Sequence, residues 1–386
     1  MLLEFSCANH KSIRDEVLFS VVAGTDTAHA EHCLTVGRLN VLRSAVIYGP
    51  NGSGKSNLLD AIAAVRGWVG GEPVIQTPHK LAEGQTSSYD AQFLVGGTRY
   101  AYGLCLRGGV VDEEYLYAFP RDRRVMLFER ASSAVTPGDR FGAKIAALAG
   151  GLPADRLLLA LPQADAIPPL AEARRFFTET LVPYRLDDRQ PDDDQLDAAL
   201  AILREDAETR AAVCTILGML GTGIRDIRAE GDEAVCVYAG FETDLRREES
   251  TGIRRLVGFL CPLVDMLRDE RVLLCDEPEA NLHETVIHAL LDTLRHTRPD
   301  SRAQLIFATH STALLDLDLF RRDQIWFTEL RPADRSTELY SLAEIRDVRR
   351  DENIRQGYLT GKYGGIPMLD HDFARLFGSE EVSADG

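Results

Sequence analysis

The stretch GPNGSGKS, Gly49 to Ser56, decides how this chain is read. It follows the apolar run Ser44-Ala-Val-Ile-Tyr48 and opens Asn57 to Trp68, whose apolar spacing predicts a helix. A strand, a glycine-rich turn and a Lys-Ser pair at a helix start make a cradle for phosphates. Glycines let successive backbone N–H groups converge on phosphate oxygens, while the positive end of the helix faces the same anion. In this pattern Gly49, Asn51, Gly52, Ser53 and Gly54 shape the cradle and Asn57 follows it as a further candidate contact. Lys55 reaches the β and γ phosphates, and the Ser56 hydroxyl holds Mg2+. The pattern predicts a nucleotide triphosphatase and leaves its kind open.

Length and composition narrow the rest. The 386 residues suffice for one large α/β domain with an inserted subdomain, or for two domains. Hydrophobic content of 45% and charged content of 27% are those of an ordinary globular protein. No apolar run approaches the roughly eighteen residues that span a bilayer, and Met1-Leu-Leu-Glu-Phe has no basic region followed by an apolar core. A cytoplasmic protein without a membrane partner is expected. The seven cysteines are scattered, without a C-x-x-C pair, and read as reduced core residues. A net charge of -17 disfavours coating nucleic acid by bulk electrostatics, although pairs such as Arg246-Arg247 and Arg254-Arg255 could line a local groove.

Along the chain, Leu2 to Ala23 alternates as two short strands around the turn Asn9-His10-Lys11-Ser12. Strand-like segments Ala91 to Val95, Thr98 to Arg107 and Glu114 to Phe119, punctuated by Gly-Gly pairs, predict an antiparallel meander attached to a parallel nucleotide core. From about Ala131 the composition shifts toward Ala, Leu, Asp and Pro, with helical spacing over Leu170 to Leu181 and Leu196 to Leu220. The expected organisation is a first ATPase lobe over 1–130, a helical insert with a return strand over 131–240, a second lobe over 241–348 and a tail over 349–386. Pro191 to Asp194 reads as a solvated loop, and Ser379 to Gly386 as a frayed end.

The chemistry is carried by three further stretches. RVLLCDEPEANLH, Arg271 to His283, is an apolar strand ending in two carboxylates. Asp276 is placed to hold Mg2+, directly or through water, and Glu277 to polarise the water that attacks the γ phosphate. In LIFATHST, Leu305 to Thr312, His310 leaves the next buried strand where it could donate a hydrogen bond to the γ phosphate. In EESTGIRRLVGFL, Glu248 to Leu260, Ser250-Thr-Gly252 opens a helix whose N-terminus makes an anion site. One chain cannot easily aim two helix N-termini at one γ phosphate from opposite sides, so a head-to-tail dimer is expected, with Ser250 and Gly252 completing the partner's pocket. As an N-cap, Ser250 also has an ordinary structural reading.

These elements in this order resemble the ABC-type ATPase heads of chromosome-maintenance (SMC), RecF and OLD-family proteins. The resemblance implies an α/β fold, a parallel core sheet plus an antiparallel meander with an inserted helical subdomain, and ATP with Mg2+ as ligands. FSCANHKSIRDEVLFSVVAG, Phe5 to Gly24, is similar to the opening strand pair of such heads, which places Asn9, Lys11 and Ser12 at the nucleotide, with His10 where Phe is usual. RRDENIRQGYLTGKYGGIP, Arg349 to Pro367, is similar to the end of the AbiL and RloA type of OLD-like ATPase, found in phage-defence operons. Transporter heads carry Leu-Ser-Gly-Gly-Gln where Glu249-Ser-Thr-Gly-Ile253 stands here. The glutamine that watches Mg2+ in such heads has Gln92 as its candidate. Only about seventy residues follow His310, too few for the Toprim nuclease of full-length OLD proteins, so the resemblance implies a separate effector, a Toprim-type nuclease, and a trigger that is DNA or a phage protein. Three functions follow as alternatives: an ATP-driven switch in antiviral defence, a DNA-clamping repair or maintenance ATPase of the RecF or SMC kind, and a nucleotide-gated scaffold that sequesters a toxin.

Overall fold

The computed structural model describes residues 1–184, 192–230, 233–278, 284–296, 298, 300–346, 348, 349 and 352–366. The chain opens with β1 (Leu2–Ala8) and β2 (Val17–Ser20), then the hairpin β3 (Cys33–Val36) and β4 (Leu39–Leu42). β5 (Ser44–Tyr48) runs through the glycine loop into α1 (Lys55–Gly70). A run of five strands follows: β6 (Ser87–Val95), β7 (Thr98–Arg107), β8 (Val110–Phe119), β9 (Val125–Ala131) and β10 (Ala134–Pro137). Then come α2 (Gly142–Ala149), α3 (Pro168–Arg175), β11 (Leu181–Tyr184), α4 (Asp192–Glu205), α5 (Ala207–Met219) and the strands β12 (Asp226–Glu230), β13 (Glu233–Val237) and β14 (Glu242–Asp244). The last part holds α6 (Thr251–Asp269), β15 (Val272–Asp276), α7 (Glu284–His296), β16 (Gln304–Ala308), β17 (Ile325–Leu330), β18 (Thr337–Ser341) and α8 (Ile354–Leu359).

All five residues of β5 are buried, as an interior strand covered on both faces requires. It sits in a six-stranded sheet of order β11-β15-β16-β5-β17-β18, parallel except for β18. Because side chains alternate along a strand, each strand feeds two cores. Ala45, Ile47, Leu274 and Ile306 face one core with α1, and Val46, Tyr48, Leu273 and Phe307 face another with α6 and α7. Helices α1 and α6 therefore cover opposite faces of one sheet. On its far side α1 meets the second sheet, the antiparallel β10-β9-β8-β7-β6-β1-β2. Trp68 packs edge-on against Tyr89 at 5.1 Å, and Phe93 stacks on Phe176 at 4.2 Å. The α/β class, with a parallel core and an attached meander, is thus as the sequence indicates.

The 131–240 stretch holds more than helix. β10 extends the meander past residue 130, and β11 is the edge strand of the core sheet, in parallel register with β15. The helical spacing over Leu170 to Leu181 resolves into α3, a π-helical turn over Phe176–Thr180 and then β11. That over Leu196 to Leu220 divides at Asp206, whose carboxylate accepts from Glu208 N and Thr209 N and starts α5 as a separate helix. An Asp offered to a free helix N-terminus is a strong start signal, and here it interrupts the run. α4 begins at Asp192, inside the stretch read as loop. The cysteines are free, and five of the seven are buried.

The described part of the tail is a strap on its own domain. Tyr358 stacks on Phe327 with centroids 5.6 Å apart, and Tyr363 lies 6.1 Å from the same ring. The Tyr340 hydroxyl donates to the Tyr363 carbonyl at 2.8 Å, and Lys362 is engaged with Glu352. Residues 367–386, including the expected frayed end, lie outside the described residues.

Candidate functional site

The phosphate loop is shaped by contacts from strands far along the chain. At Gly49 a Cβ would stand 2.3 Å from Thr328 Oγ1 and 2.5 Å from the Thr328 carbonyl oxygen, so only glycine fits. At Gly54, with φ of 105°, a Cβ would meet Thr337 Oγ1 at 2.1 Å. Ser53 Oγ lies 2.6 Å from Thr328 Oγ1, and Thr337 Oγ1 donates to the Ser53 carbonyl at 2.9 Å. Two threonines on neighbouring strands thus clamp the loop from behind. Neither carries a sequence signal, since threonine in a strand is ordinary.

Lys55 is buried at the mouth of α1, where Nζ donates to the Gly49 carbonyl at 2.8 Å and the Pro50 carbonyl at 3.2 Å. An ammonium held by neutral carbonyls gains by exchanging them for charged phosphate oxygens. The same Nζ reaches His310 Nδ1 at 3.5 Å, and His310 Nε2 lies 3.0 Å from Glu277 Oε1. Lys55, His310 and Glu277 form one line across the carboxyl ends of β5, β16 and β15. The line depends on the backbone of Glu277. Its φ of 48° is unusual for a residue with a side chain, and its N–H continues the ladder by donating to the Ala308 carbonyl at 2.9 Å. This turns the carboxylate out of the strand toward His310. Asp276 ends β15 beside it. The glycine cradle, the buried ammonium and the adjacent carboxylates fit a nucleotide triphosphate with a divalent cation.

The N-terminal turn divides in its roles. Ser12 is at the site: its hydroxyl lies 2.7 Å from Thr337 Oγ1 and accepts from Asn57 Nδ2 at 2.6 Å. Lys11 pairs with Asp60 of α1 at 2.7 Å, and His10 Nε2 reaches the same carboxylate at 2.9 Å. Burial alone would raise the Asp60 carboxyl, but hydrogen bonds from His10 and Lys11 outweigh it and hold it below the usual range. His10 is a buried bridge from Tyr89 to Asp60. Asn9 is not brought to the loop. It is 3% exposed, its amide donates to the Ala82, Gln85 and Thr86 carbonyls, and its oxygen accepts from His79 N at 2.8 Å. Replacing Asn9 with Ala orphans this set and is expected to cost about 2–4 kcal/mol of stability. Urea unfolding with a nucleotide titration checks it; lost ATP affinity at unchanged stability would return Asn9 to the pocket.

Gln92 is not brought to the loop either. It lies in β6, where Nε2 donates to Glu4 Oε2 at 2.7 Å and Oε1 accepts from Arg99 at 3.0 Å. Its register partner is Glu4, four residues up the strand from the Ala8–Ser88 pair, roughly 13 Å from the turn that meets α1. Both ends of its amide are used within the sheet. Ser250 caps α6 by accepting from Ile253 N at 3.3 Å, with Gly252 in the first turn, and α6 lies on the sheet face opposite α1. Asn51, Gly52 and Ser56 are exposed at the rim of the loop.

A model of the family described as "AAA domain, putative AbiEii toxin, Type IV TA system" matches residues 44–316, well over half of the chain. The chain belongs to this AAA domain family. The matched span runs from β5 past His310 and so takes in the phosphate loop, the Asp276-Glu277 pair and the histidine. The AAA domain is a P-loop nucleotide-binding ATPase. A search of curated proteins returns no match. Among solved structures the chain is similar to the SMC head domain from Thermotoga maritima, at 16% identity over 88% of this chain and 98% of that one, with a TM-score of 0.45. It is also similar to an Smc head domain with an extended coiled coil bound to the C-terminal domain of ScpA derived from Pyrococcus furiosus, at 12% identity over 88% and 96%, with a TM-score of 0.41. Among the described residues no helix is long and apolar enough to cross a membrane.

Proposed function

We propose that this AAA domain is an ABC-type ATPase of the OLD-like group, similar to the AbiL and RloA type, that dimerises around ATP and switches a separate effector in antiphage defence. The observation that supports dimerisation is the placement of α1 and α6 on opposite faces of one sheet. Two helix N-termini so placed do not converge on one γ phosphate within a chain, whereas two copies facing head to tail let Ser250 and Gly252 of one complete the pocket of the other. Within each pocket Lys55 neutralises the β and γ phosphates, and Ser56 and Asp276 would hold Mg2+. The cation, when bound, offsets the charge that builds on the leaving phosphate oxygens. Glu277 orients and deprotonates the attacking water. His310, already 3.0 Å from Glu277, hydrogen-bonds the γ phosphate and links its presence to the base. The effector class implied by the resemblance is a Toprim-type nuclease, with DNA or a phage protein as trigger.

The test mixes two inactive variants. Lys55→Ala lacks the phosphate contact, and Gly252→Asp places a carboxylate where the partner's phosphate would sit; a Cβ at Gly252 meets nothing closer than 3.7 Å, so the substitution fits the helix. Each alone is expected to lose at least about 100-fold in ATP turnover. A mixture is expected to recover about a quarter of the wild-type rate, because half of the mixed dimers' sites then pair an intact loop with an intact Ser250-Gly252 turn. No recovery would remove the composite pocket. Co-purification with products of neighbouring genes identifies the effector, and salt-sensitive DNA binding by the chain alone, strengthened by ATP, would favour a RecF-type clamp instead.

A further inference from the structure

Away from the nucleotide loop, the turn before β3 carries His29, Glu31 and His32, and their ligating atoms all lie within 4.8 Å of one another. His29 Nδ1 is 3.3 Å and His32 Nε2 3.7 Å from the same Glu31 oxygen, Oε1. We propose that these three side chains are a binding site for a divalent transition-metal cation of the zinc class.

The argument rests on where the protons are. His29 Nε2 lies 2.8 Å from the Leu317 carbonyl, which can only accept, so that nitrogen carries hydrogen. His32 Nδ1 lies 2.7 Å from Gln324 Oε1. The orientation of this amide is itself determined, because Oε1 accepts from the Arg321 backbone N–H at 2.9 Å and Nε2 donates to the Ser44 carbonyl at 2.9 Å. His32 Nδ1 is therefore the donor. In the neutral ring each histidine has one N–H and one lone pair. Both lone pairs, His29 Nδ1 and His32 Nε2, then point at a carboxylate oxygen. With both rings neutral, three electron-rich atoms face one another and repel; a proton on His29 Nδ1 relieves only its 3.3 Å pair with Glu31, whereas a cation between the three also engages the buried His32 Nε2. His32 is 2% exposed, and its Nε2 makes no hydrogen bond among the described residues.

The dimensions agree. Bonds of about 2.1 Å at a tetrahedral angle separate ligand atoms by about 3.4 Å, close to the 3.3 and 3.7 Å from each histidine to Glu31, with the two histidine nitrogens within 4.8 Å of each other. The rings lie nearly parallel, 4.7 Å apart with an interplanar angle of 15°, and their ligating atoms lie within 4.8 Å of each other and of the Glu31 carboxylate. His29 reaches this position through a left-handed backbone, φ 49°. Ligating imidazoles whose other N–H is fixed by a carbonyl or amide oxygen are the usual outer arrangement of a metal site, and both histidines have it. Two imidazoles and one carboxylate leave a fourth position for water, and this donor set suits zinc and its neighbours above magnesium or calcium. The His32–Gln324–Ser44 chain joins the site to the start of β5, the strand that feeds the phosphate loop.

The experiment uses the full chain, stripped of metal and nucleotide, titrated with Zn2+ against a chromophoric chelator and with Co2+ by visible absorption. The wild type is expected to take up one equivalent that depends on this turn. His29→Ala and Glu31→Gln change exposed or half-exposed side chains and are each expected to weaken that equivalent at least ten-fold and to remove the tetrahedral Co2+ bands. Cys33→Ser is expected to leave both readouts unchanged. Circular dichroism confirms that each variant is folded, so the result does not depend on the buried His32. Undiminished Zn2+ binding in both His29→Ala and Glu31→Gln, or no stoichiometric binding by the wild type, would overturn the proposal.

Discussion

Replacing Glu277 with Gln is expected to slow ATP turnover by about 100-fold or more while ATP binding survives. The substitution is nearly isosteric, and the amide oxygen of Gln still accepts from His310 Nε2 across the 3.0 Å contact. The left-handed backbone at 277 is retained too, because its N–H bond to Ala308 does not involve the side chain. What disappears is a group able to take a proton from water. Binding depends on the loop and Lys55, which are untouched, so the variant should accumulate as an ATP-filled dimer. Phosphate release in a single turnover and light scattering with ATP together measure this. An unchanged rate would show that the base is elsewhere.

Gly49→Ala is the second large effect, and it acts through shape. The new Cβ would lie 2.3 Å from Thr328 Oγ1, 2.5 Å from the Thr328 carbonyl and 2.6 Å from Ser53 Oγ. A hydroxyl can rotate away, but the carbonyl belongs to β17, whose neighbours β5 and β18 hold it in register. The loop must move instead. The expected cost is about 1–3 kcal/mol of stability, with ATP affinity lowered by on the order of 100-fold as the cradle loses its shape. Gly52→Ala is the control. Its Cβ meets nothing within 4 Å, and its φ of 77° imposes only the strain of a left-handed alanine, about 1 kcal/mol. Thermal melting and nucleotide titration compare the two. Equal losses would show that backbone conformation, and not the wall formed by Thr328, sets the requirement at Gly49.

The core sheet was legible because its strands are short, apolar on both faces and end in unusual polar residues. β5, β15 and β16 each leave the sheet at a chemically distinctive point, so their order along the chain already outlined the pocket. β11 was hidden because a four-residue strand after a helical run continues the apolar spacing without a break. Resemblance alone places the N-terminal turn, naming Asn9, Lys11 and Ser12 together, and only the structure separates the asparagine that binds the Ala82, Gln85 and Thr86 carbonyls from the serine at α1. Gln92 shows the same limit: a glutamine in a strand has no periodic signature, and its pairing with Glu4 and Arg99 is a property of register. Thr328 and Thr337 were silent because their contacts with Ser53 and Ser12 span 275 and 325 residues of chain.

Those two threonines give the hairpin β17–β18 a mechanical meaning. Its turn, at residues 331–336, projects a charged tip in which Arg331 pairs with Asp15 and Arg14 with Asp334. β18 begins at Thr337, immediately after that tip, with one oxygen on Ser12 and on the Ser53 carbonyl. The tip is thus joined to the back of the nucleotide cradle by the single residue that follows it, Thr337, which holds both Ser53 and Ser12.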